Sequence, residues 1–190
     1  YTQTTPLQLC MMTAQIANGG FAVKPKIIVD SNPISYEDAK QSMESGLLFD
    51  TDSEELLDKK LFKNQKNIKI VQEAMFASTN ERFGTSYKSR IDDPKYQFAG
   101  KTGTAQVKRI SKRERELDLE LEQIPYKDRD HALYVAYGPY VNPRYALSII
   151  VEHGGSGSKA AAPIAKKLFK LIIDRHDLRN KQSNFERITV

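Results

Sequence analysis

Two β-rich runs with a turn signal between them constrain the fold of this chain more than any other feature. The runs cover residues 131–141 and 144–152, and the pair Asn142-Pro143 separates them. Runs of β-branched and aromatic residues joined by such a pair indicate a β-hairpin. A hairpin with one apolar face needs a cover, and a helix predicted over residues 163–174 can lie on it. The positions predicted to face the hairpin are Ile164, Leu168, Leu171 and Ile172, with Lys166, Lys167 and Lys170 facing outward.

Two further helices are predicted upstream of the hairpin. Thr5 as the N-cap and Pro6 at the first helical position begin the first helix, and Asn18-Gly19-Gly20 ends it. Because this helix carries little charge, we expect it to be largely buried. In the second helix, apolar residues recur at helical spacing from Ile68 to Ala77, and its end is expected near residues 78–80.

A third strand is predicted around residues 98–107, which makes the fold class α+β, with a mostly antiparallel sheet of three strands packed against helices. Residues 1–173 are expected to belong to one domain. Within it, residues 30–67 are interpreted as an elaborated surface connection and residues 109–130 as a charged insertion. The connection carries a weak helical patch formed by Leu56, Leu57, Leu61 and Phe62, and the insertion carries a narrow apolar stripe on a solvated helix formed by Leu117, Leu121 and Ile124.

Further predictions concern the edge of the sheet and the C-terminal end of the chain. Three strands are few for a chain of 190 residues, so one edge of the sheet is expected to be open and further strands to come from sequence outside this chain. An open edge also predicts self-association of the chain by strand pairing or swapping. Residues 174–190 are predicted to form a polar and partly disordered tail.

Composition excludes several classes of function. The chain is 39% hydrophobic and 28% charged, which is typical of a globular protein. Its net charge of +5 comes from basic residues spread among 24 acidic ones, without a nucleic-acid-binding motif, so no nucleic-acid partner is predicted. The one cysteine, Cys10, excludes an internal disulfide and a Cys-ligated zinc site, and a small core position is predicted for it. No metal and no other cofactor is predicted.

No run of residues approaches the roughly eighteen apolar residues of a membrane-spanning helix. The chain does not begin with methionine, so residue 1 is not expected to be the natural start of the protein. A membrane anchor is therefore expected outside this chain.

The predicted strand at residues 98–107 is the place where the residues indicate chemistry. Alternation along a strand places Lys101 and Gly103 on one side, and Thr102 and Thr104 on the other. Glycine leaves room for another backbone to lie alongside. A cation, hydroxyls and free backbone donors on one edge suit a peptide that ends in a carboxylate. The alternative is an ordinary edge strand with a solvated lysine.

Four stretches of this chain form an ordered set spread over residues 1–173. They are Thr5-Pro6-Leu7-Gln8-Leu9 with Ala17-Asn18-Gly19-Gly20; Phe83-Gly84-Thr85; Ala99-Gly100-Lys101-Thr102-Gly103-Thr104-Ala105-Gln106-Val107; and Tyr137-Gly138-Pro139 with Val151-Glu152-His153-Gly154-Gly155. In this order they resemble the C-terminal part of the transpeptidase domain of penicillin-binding proteins. The class that they resemble is the elongation-type class B enzymes, the penicillin-binding protein 2 family.

The resemblance implies a peptidoglycan D,D-transpeptidase, in which a serine of an S-x-x-K motif attacks the D-Ala-D-Ala end of a stem peptide. Lys101 would supply positive charge to proton transfer and to the substrate carboxylate. Thr102 and Thr104 would bind that carboxylate through their hydroxyls, and Gly103 would let the peptide backbone approach. The backbone N–H of Thr104 would be one donor of the oxyanion hole. β-Lactam antibiotics would bind to the same groups.

The resemblance also implies that the nucleophile lies outside this chain, because the S-x-x-K and S-x-N motifs precede the Thr5-Pro6 helix in that fold. Two stretches imitate these motifs. Ser156-Gly157-Ser158-Lys159 fits S-x-x-K, but we expect Pro163 to begin the helix too late to place Ser156 and Lys159 one turn apart on it. Ser78-Thr79-Asn80 fits S-x-N at a helix end, where Ser and Asn are common for capping. The chain by itself is therefore expected to be inactive.

A Ser-His-Asp triad is not predicted. His131 and His153 have no evident Asp and Ser partners, and His176 lies near the predicted tail.

Other functions stay open at this point. One is a β-lactamase or penicillin-sensor domain of the same fold, which differs in the fate of the acyl-enzyme. Another is a non-catalytic interaction module, in which residues 111–130 and the exposed sheet edge bind a partner. For a transpeptidase, the resemblance implies action at the periplasmic face of the bacterial inner membrane. Proteins of the cell-elongation machinery would then be partners of the full-length enzyme.

Overall fold

A computed structural model describes residues 3–25, 60–108 and 119–188, with side chains up to residue 179. The described residues form three α-helices and three strands, in the order α1, α2, β1, β2, β3, α3. Their bounds are α1 Pro6–Ala17, α2 Gln65–Asn80, β1 Ala99–Ala105, β2 His131–Gly138, β3 Tyr145–Val151 and α3 Ala162–Ile188. Single 3₁₀ turns lie at Tyr87–Ser89, Leu121–Gln123 and Tyr126–Asp128, and a π-helical turn at Gly157–Ala161 leads into α3.

The strands form one antiparallel sheet with the order β1-β2-β3. Ala99 lies opposite Tyr137 in the β1–β2 pair, and Gly138 lies opposite Tyr145 in the β2–β3 pair. The predicted hairpin, the three-stranded antiparallel sheet and the α+β class are confirmed. Among the described residues, β1 and β3 each have one unpaired edge. Self-association through such an edge stays a prediction.

Helices cover both faces of the sheet. On one face, Phe169 and Ile173 of α3 pack with Phe98 and Tyr134, all with no exposed surface. The alanines of β2 and of the first turns of α3 let the helix approach closely. On the other face, Met75 of α2 packs against Ala99 and Tyr137, with α1 residues beside them. The buried alanines between the sheet and this helical segment are Ala132 and Ala136 on β2, Ala161 in the π-helical turn, and Ala162 and Ala165 on α3.

Helix α1 begins and ends as predicted, but it is less buried than predicted. Thr5 accepts a hydrogen bond from the backbone of Gln8, and the Gln8 side chain accepts one from the Thr5 backbone, which completes a capping box. Leu7 and Met12 are 52% and 43% exposed. The helix packs on the sheet along one side only, so it is partly exposed although it carries little charge. Cys10 is half-buried, with its Sγ 3.5 Å from the Ala146 carbonyl oxygen, and burial raises the pKa of its thiol.

The predicted face of α3 is also wrong. Ile164 and Leu171 are 40% and 64% exposed, whereas the buried stripe runs through Ala165, Phe169 and Ile173. The prediction began this helix at Pro163, but helical structure already begins at Gly157, and the small residues of the first turns lie against the sheet. The aromatic and aliphatic positions that follow those alanines at i+4 spacing therefore form the core face.

The structure also corrects the helix predicted near Leu121 and Ile124 and the tail predicted at residues 174–190. Residues 121–128 form two separate 3₁₀ turns around Pro125 and not a continuous helix, while residues 109–118 lie outside the described residues. The expected surface connection is described only from residue 60 onward, so its patch at residues 56–57 also lies outside. The predicted tail is helical, since α3 continues past Asp174 to Ile188. Lys95 forms ion pairs with Asp174 at 3.1 Å and Asp177 at 3.0 Å on that extension.

Candidate functional site

The four predicted site residues lie on the outer strand of the sheet. Within β1, Lys101 and Thr104 are exposed, and Thr102 and Gly103 are half-buried. Lys101 lies opposite Val135 and Thr102 lies opposite Tyr134, so β2 occupies one edge of β1. No described strand pairs with the other edge of β1, although the Gly100 and Thr102 carbonyl oxygens accept hydrogen bonds from the side chains of Thr79 and Lys101.

A row of hydroxyl groups continues from the lysine into the loop before β1. The Nζ of Lys101 lies 2.9 Å from the carbonyl oxygen of Thr102 and 3.2 Å from its Oγ1. The Oγ1 of Thr102 lies 3.2 Å from that of Thr85, which in turn lies 3.3 Å from the Oγ of Ser78. Although alternation places Lys101 and Thr102 on opposite sides, the long lysine stem brings its ammonium group to the threonine hydroxyl. The row can therefore offer a cation and several hydroxyl donors to one anionic group.

Thr85 is a site residue that sequence reasoning missed. It belonged to a recognised stretch, Phe83-Gly84-Thr85, but no role was inferred for its hydroxyl. Its position depends on Gly84, because a Cβ at Gly84 would lie 2.4 Å from the carbonyl oxygen of Ser78. The glycine thus lets the loop fold back on the last turn of α2. A Gly-Thr pair directly after a helix end is the local signal that could have indicated this contact.

A buried group of hydroxyls supports the strand from behind. The Tyr134 hydroxyl lies 2.9 Å from Thr79 Oγ1 and 3.1 Å from Ser86 Oγ. Thr79 also donates to the carbonyl oxygen of Gly100, the residue before Lys101, at 3.4 Å. Burial raises the pKa of the Tyr134 hydroxyl, which therefore stays protonated in this cluster. The cluster joins α2, the loop after it and β1 immediately behind Lys101.

Replacing Tyr134 by phenylalanine is expected to destabilise the domain by about 1–2 kcal/mol, because two buried hydroxyls lose their shared partner. The measurement is chemical denaturation of the complete protein, followed through the transition of this domain. Tyr137→Phe is the matched control on the same strand, since the buried Tyr137 hydroxyl makes no hydrogen bond with any described residue. Equal destabilisation by the two substitutions would contradict the role given to the cluster.

The space beside Gly103, predicted to admit a peptide backbone, is partly filled by the chain itself. A Cβ at Gly157 would lie 2.8 Å from the carbonyl oxygen of Gly103 and 2.4 Å from that of Leu133. The π-helical turn therefore rests directly on the backbones of β1 and β2. A Cβ at Gly103 itself would meet the Leu133 Cβ at 3.3 Å, a tight but smaller conflict.

Ser156 and Lys159, which fit S-x-x-K, lie closer to one helical turn than the sequence predicts. Backbone N–H groups of Lys159 and Ala160 donate to the Ser156 carbonyl oxygen, so Ser156 and Lys159 do lie about one turn apart. Even so, the Ser156 hydroxyl pairs with Ser158 Oγ at 3.0 Å. The Lys159 side chain is exposed, and its ammonium group forms no hydrogen bond with the Ser156 hydroxyl.

The residues at the end of α2 that fit S-x-N make hydrogen bonds with neighbouring residues. Asn80 donates to the carbonyl oxygens of Phe76 at 3.0 Å and Phe98 at 2.9 Å, which ties the helix end to the segment entering β1. Ser78 contributes its hydroxyl to the row through Thr85.

The histidines do not form a triad. The backbone N–H of His153 donates to His131 Nδ1 at 2.9 Å, and the His153 ring contacts the Arg129 carbonyl oxygen at 3.0 Å. His176 packs edge-on against the Tyr145 ring. Within the described ranges no cluster of three or more potential metal ligands is present, and no helix there is long and apolar enough to cross a membrane.

An antiparallel sheet between helices, with a Lys-Thr-Gly sequence on its outer strand, is the arrangement expected for the penicillin-binding class of domains that the sequence resembles. Comparison with protein families gives the same class. The family model described as "Penicillin binding protein transpeptidase domain" matches residues 2–170. The chain belongs to the penicillin-binding protein transpeptidase domain family.

Individual relatives support the narrower resemblance. The chain is 37% identical over 105 residues to peptidoglycan D,D-transpeptidase MrdA of Salmonella typhimurium, covering 55% of this chain and 16% of that protein. It is 28% identical over 180 residues to MrdA of Haemophilus influenzae, covering 92% of this chain and 24% of that protein. The resemblance to the penicillin-binding protein 2 family is confirmed.

Solved structures agree with the fold. The crystal structure of Pseudomonas aeruginosa PBP2 in complex with WCK 5153 matches with a TM-score of 0.63 and 30% identity, over 90% of this chain and 31% of that one. The PBP2 of Helicobacter pylori in complex with MreC matches with a TM-score of 0.59 and 30% identity, over 88% of this chain and 25% of that one. The chain thus spans less than a third of each of these relatives.

Proposed function

We propose that the complete protein is a peptidoglycan D,D-transpeptidase and that this chain supplies the wall of its site that binds the substrate carboxylate. The observation that carries the proposal is the row from Lys101 Nζ through Thr102 to Thr85, at an open strand edge. Its support comes from the family match over residues 2–170. Residues 1–173 are then the C-terminal portion of one transpeptidase domain.

Each residue of the strand has a role in this proposal. Lys101 provides the positive charge that attracts the terminal carboxylate and assists proton transfer. Thr102 and Thr104 donate hydroxyl hydrogen bonds to that carboxylate, and Thr85 orients the hydroxyl of Thr102. Gly103 permits the close approach of the peptide, and the backbone N–H of Thr104 donates to the oxyanion of the tetrahedral intermediate.

The substrate is a stem peptide ending in D-Ala-D-Ala, which lies along the open edge of β1 as an added strand. Its carboxylate then meets Lys101 and the hydroxyl row at the same place. β-Lactams bind to these groups because they carry a carboxylate beside a reactive carbonyl. In this proposal the serine nucleophile and the S-x-N residues belong to sequence outside the 190 residues.

Two properties of the complete protein follow from this function. Because stem peptides lie outside the cytoplasmic membrane, the domain acts on the periplasmic face of the inner membrane. Proteins of the elongation machinery are the proposed partners, supported by the relative from Helicobacter pylori, which was solved in complex with MreC.

The alternatives have less support. The relatives described above are named as transpeptidases or penicillin-binding proteins, which favours neither a β-lactamase nor a penicillin sensor. A purely non-catalytic module does not account for the hydroxyl row beside Lys101.

The test is release of D-alanine by the complete protein from a synthetic stem peptide ending in D-Ala-D-Ala. We expect release, and we expect conversion of the terminal carboxylate to a carboxamide to lower its rate by about a hundredfold or more, since a charged partner of Lys101 is lost. The amidated peptide is a matched control because it differs only at that group. Equal rates for the two peptides would contradict the carboxylate-binding role.

A further inference from the structure

A groove on the side of the domain carries a concentration of positive charge that the proposed function does not use. It lies between the loop at residues 82–89 and the first turns of α3, and its volume is about 760 Å³. That volume lies in the usual range of small-molecule sites. Lys101 is not among its lining residues. The basic lining residues are Arg82, Lys88, Lys159, Lys166, Lys167 and Lys170.

These cations form no ion pairs with the described residues. No acidic residue lines the groove, and none of the six basic side chains forms an ion pair with any residue in the part of the chain that the structure describes. Asp174 and Asp177 follow Lys170 along α3, with Asp174 one turn from it, but both pair with Lys95 and neither lines the groove. Six cations around one concave space produce a strong positive potential there.

The groove also offers neutral donors. Ser89 is only 3% exposed and lines the groove, yet its hydroxyl makes no hydrogen bond with a described residue. Ser158 and Thr85 also line the groove, but their hydroxyls already pair with Ser156 and with Thr102. The Ser89 hydroxyl can therefore donate a hydrogen bond to a ligand oxygen in the groove.

The arrangement of the cations indicates an elongated ligand. Lys159, Lys166 and Lys170 follow one face of the helical segment, over about 16 Å at 1.5 Å per residue. Arg82 and Lys88 face them from the loop on the opposite wall. Five of the six cations are lysines, whose ammonium groups bind phosphate oxygens as point charges. Tyr87 and Pro163 also line the groove, so apolar surface lies beside the cations.

We propose that this groove is a second binding site, for an elongated ligand that carries several phosphate groups, such as an oligophosphate or the diphosphate headgroup of a lipid. Lys166, Lys167 and Lys170 contact the phosphates from α3, Arg82 and Lys88 contact them from the loop, and the Ser89 hydroxyl donates to one phosphate oxygen. The groove adjoins the hydroxyl row at Thr85 but does not include Lys101.

The test is isothermal titration of the complete protein with sodium tripolyphosphate at constant ionic strength. One ion is expected to bind per protein, and Lys166→Ala/Lys167→Ala/Lys170→Ala is expected to weaken binding at least about tenfold. Lys63→Ala/Lys66→Ala/Lys69→Ala is the matched control, since these lysines are exposed and lie outside the groove. Ser89→Ala tests the hydroxyl without a change of charge and is expected to weaken binding about threefold or more.

Several outcomes decide the proposal. Equal weakening by the two triple variants, or equally tight binding of sulfate, would overturn it, because both indicate unspecific attraction. Binding to phosphatidylcholine vesicles that contain a prenyl diphosphate, in addition to tripolyphosphate, with both lost in the groove variant, supports it and identifies a lipid as a source of the phosphates. Binding to vesicles alone would overturn it. The rate of penicillin acylation is expected to be unchanged in the groove variant, which separates this site from the proposed function.

Discussion

Replacing Lys101 by alanine in the complete protein is expected to lower the rate of acylation by a fluorescent penicillin by about a thousandfold, to near the limit of detection. The ammonium group is the only charge in the row formed with Thr102 and Thr85. Without it, the ligand carboxylate loses its charged partner, and the hydroxyls that stay are weaker donors. The measurement is the rate of covalent labelling followed on a denaturing gel.

The fold is expected to survive this substitution. Lys101 is exposed, and its Nζ contacts only atoms of Thr102 among the described residues. The free energy of unfolding should therefore change by less than about 0.5 kcal/mol. Lys63→Ala is the matched control, because it removes the same charge from an exposed position far along the chain. If the labelling rate of Lys101→Ala were within tenfold of the rate of the natural protein, the role given to Lys101 would be contradicted.

Gly157→Ala is expected to destabilise the domain by about 3 kcal/mol, the largest effect on folding that we foresee for a single methyl group. The added Cβ would lie 2.4 Å from one carbonyl oxygen, that of Leu133, and 2.8 Å from another, that of Gly103. Neither is a flexible side chain, so relief requires the π-helical turn or the strands to move. Thermal unfolding of the complete protein measures the loss.

This substitution also links folding to the site, because Gly103 lies on the strand that carries Lys101. We expect slower penicillin acylation together with lower stability. Ser156→Ala, one residue earlier, is the control, and it should cost less than about 1 kcal/mol because the Ser156 hydroxyl pairs only with Ser158. A stability of Gly157→Ala equal to that of Ser156→Ala would contradict the packing described here.

Local signals made much of the fold predictable. The Thr5-Pro6 start and the Asn18-Gly19-Gly20 end of α1 depend on neighbouring residues alone, and both are confirmed. The hairpin and the antiparallel sheet follow in the same way from alternation and a turn pair. These features are set by backbone conformations that a few adjacent side chains favour.

Features that depend on packing were not predictable in this way. The buried face of α3 follows from the contact of Gly157 with the backbones of two strands, which no helical periodicity contains. The segment at residues 121–128 has a helical spacing of apolar residues, yet it forms two short turns on either side of Pro125. In each case tertiary contacts or a proline outweigh the pattern.

In the candidate site, too, the sequence predicted the neighbouring residues but not the contacts between distant ones. The residues Lys101 to Thr104 were identified from their order and from the family resemblance, and the structure places them together on an outer strand. The contact between Thr102 and Thr85 joins residues 17 positions apart, so it required the structure. The buried hydroxyls behind β1 are equally non-local, because Tyr134 lies 55 positions from Thr79.

The most direct test of the account is the position of the penicilloyl adduct in the complete protein, found by mass spectrometry of proteolytic peptides after labelling. The central claim is that this chain binds the carboxylate and does not provide the nucleophile. It predicts an adduct on a serine outside these 190 residues, and no adduct on the isolated chain. An adduct on Ser156, or on any other residue between Tyr1 and Val190, would contradict it.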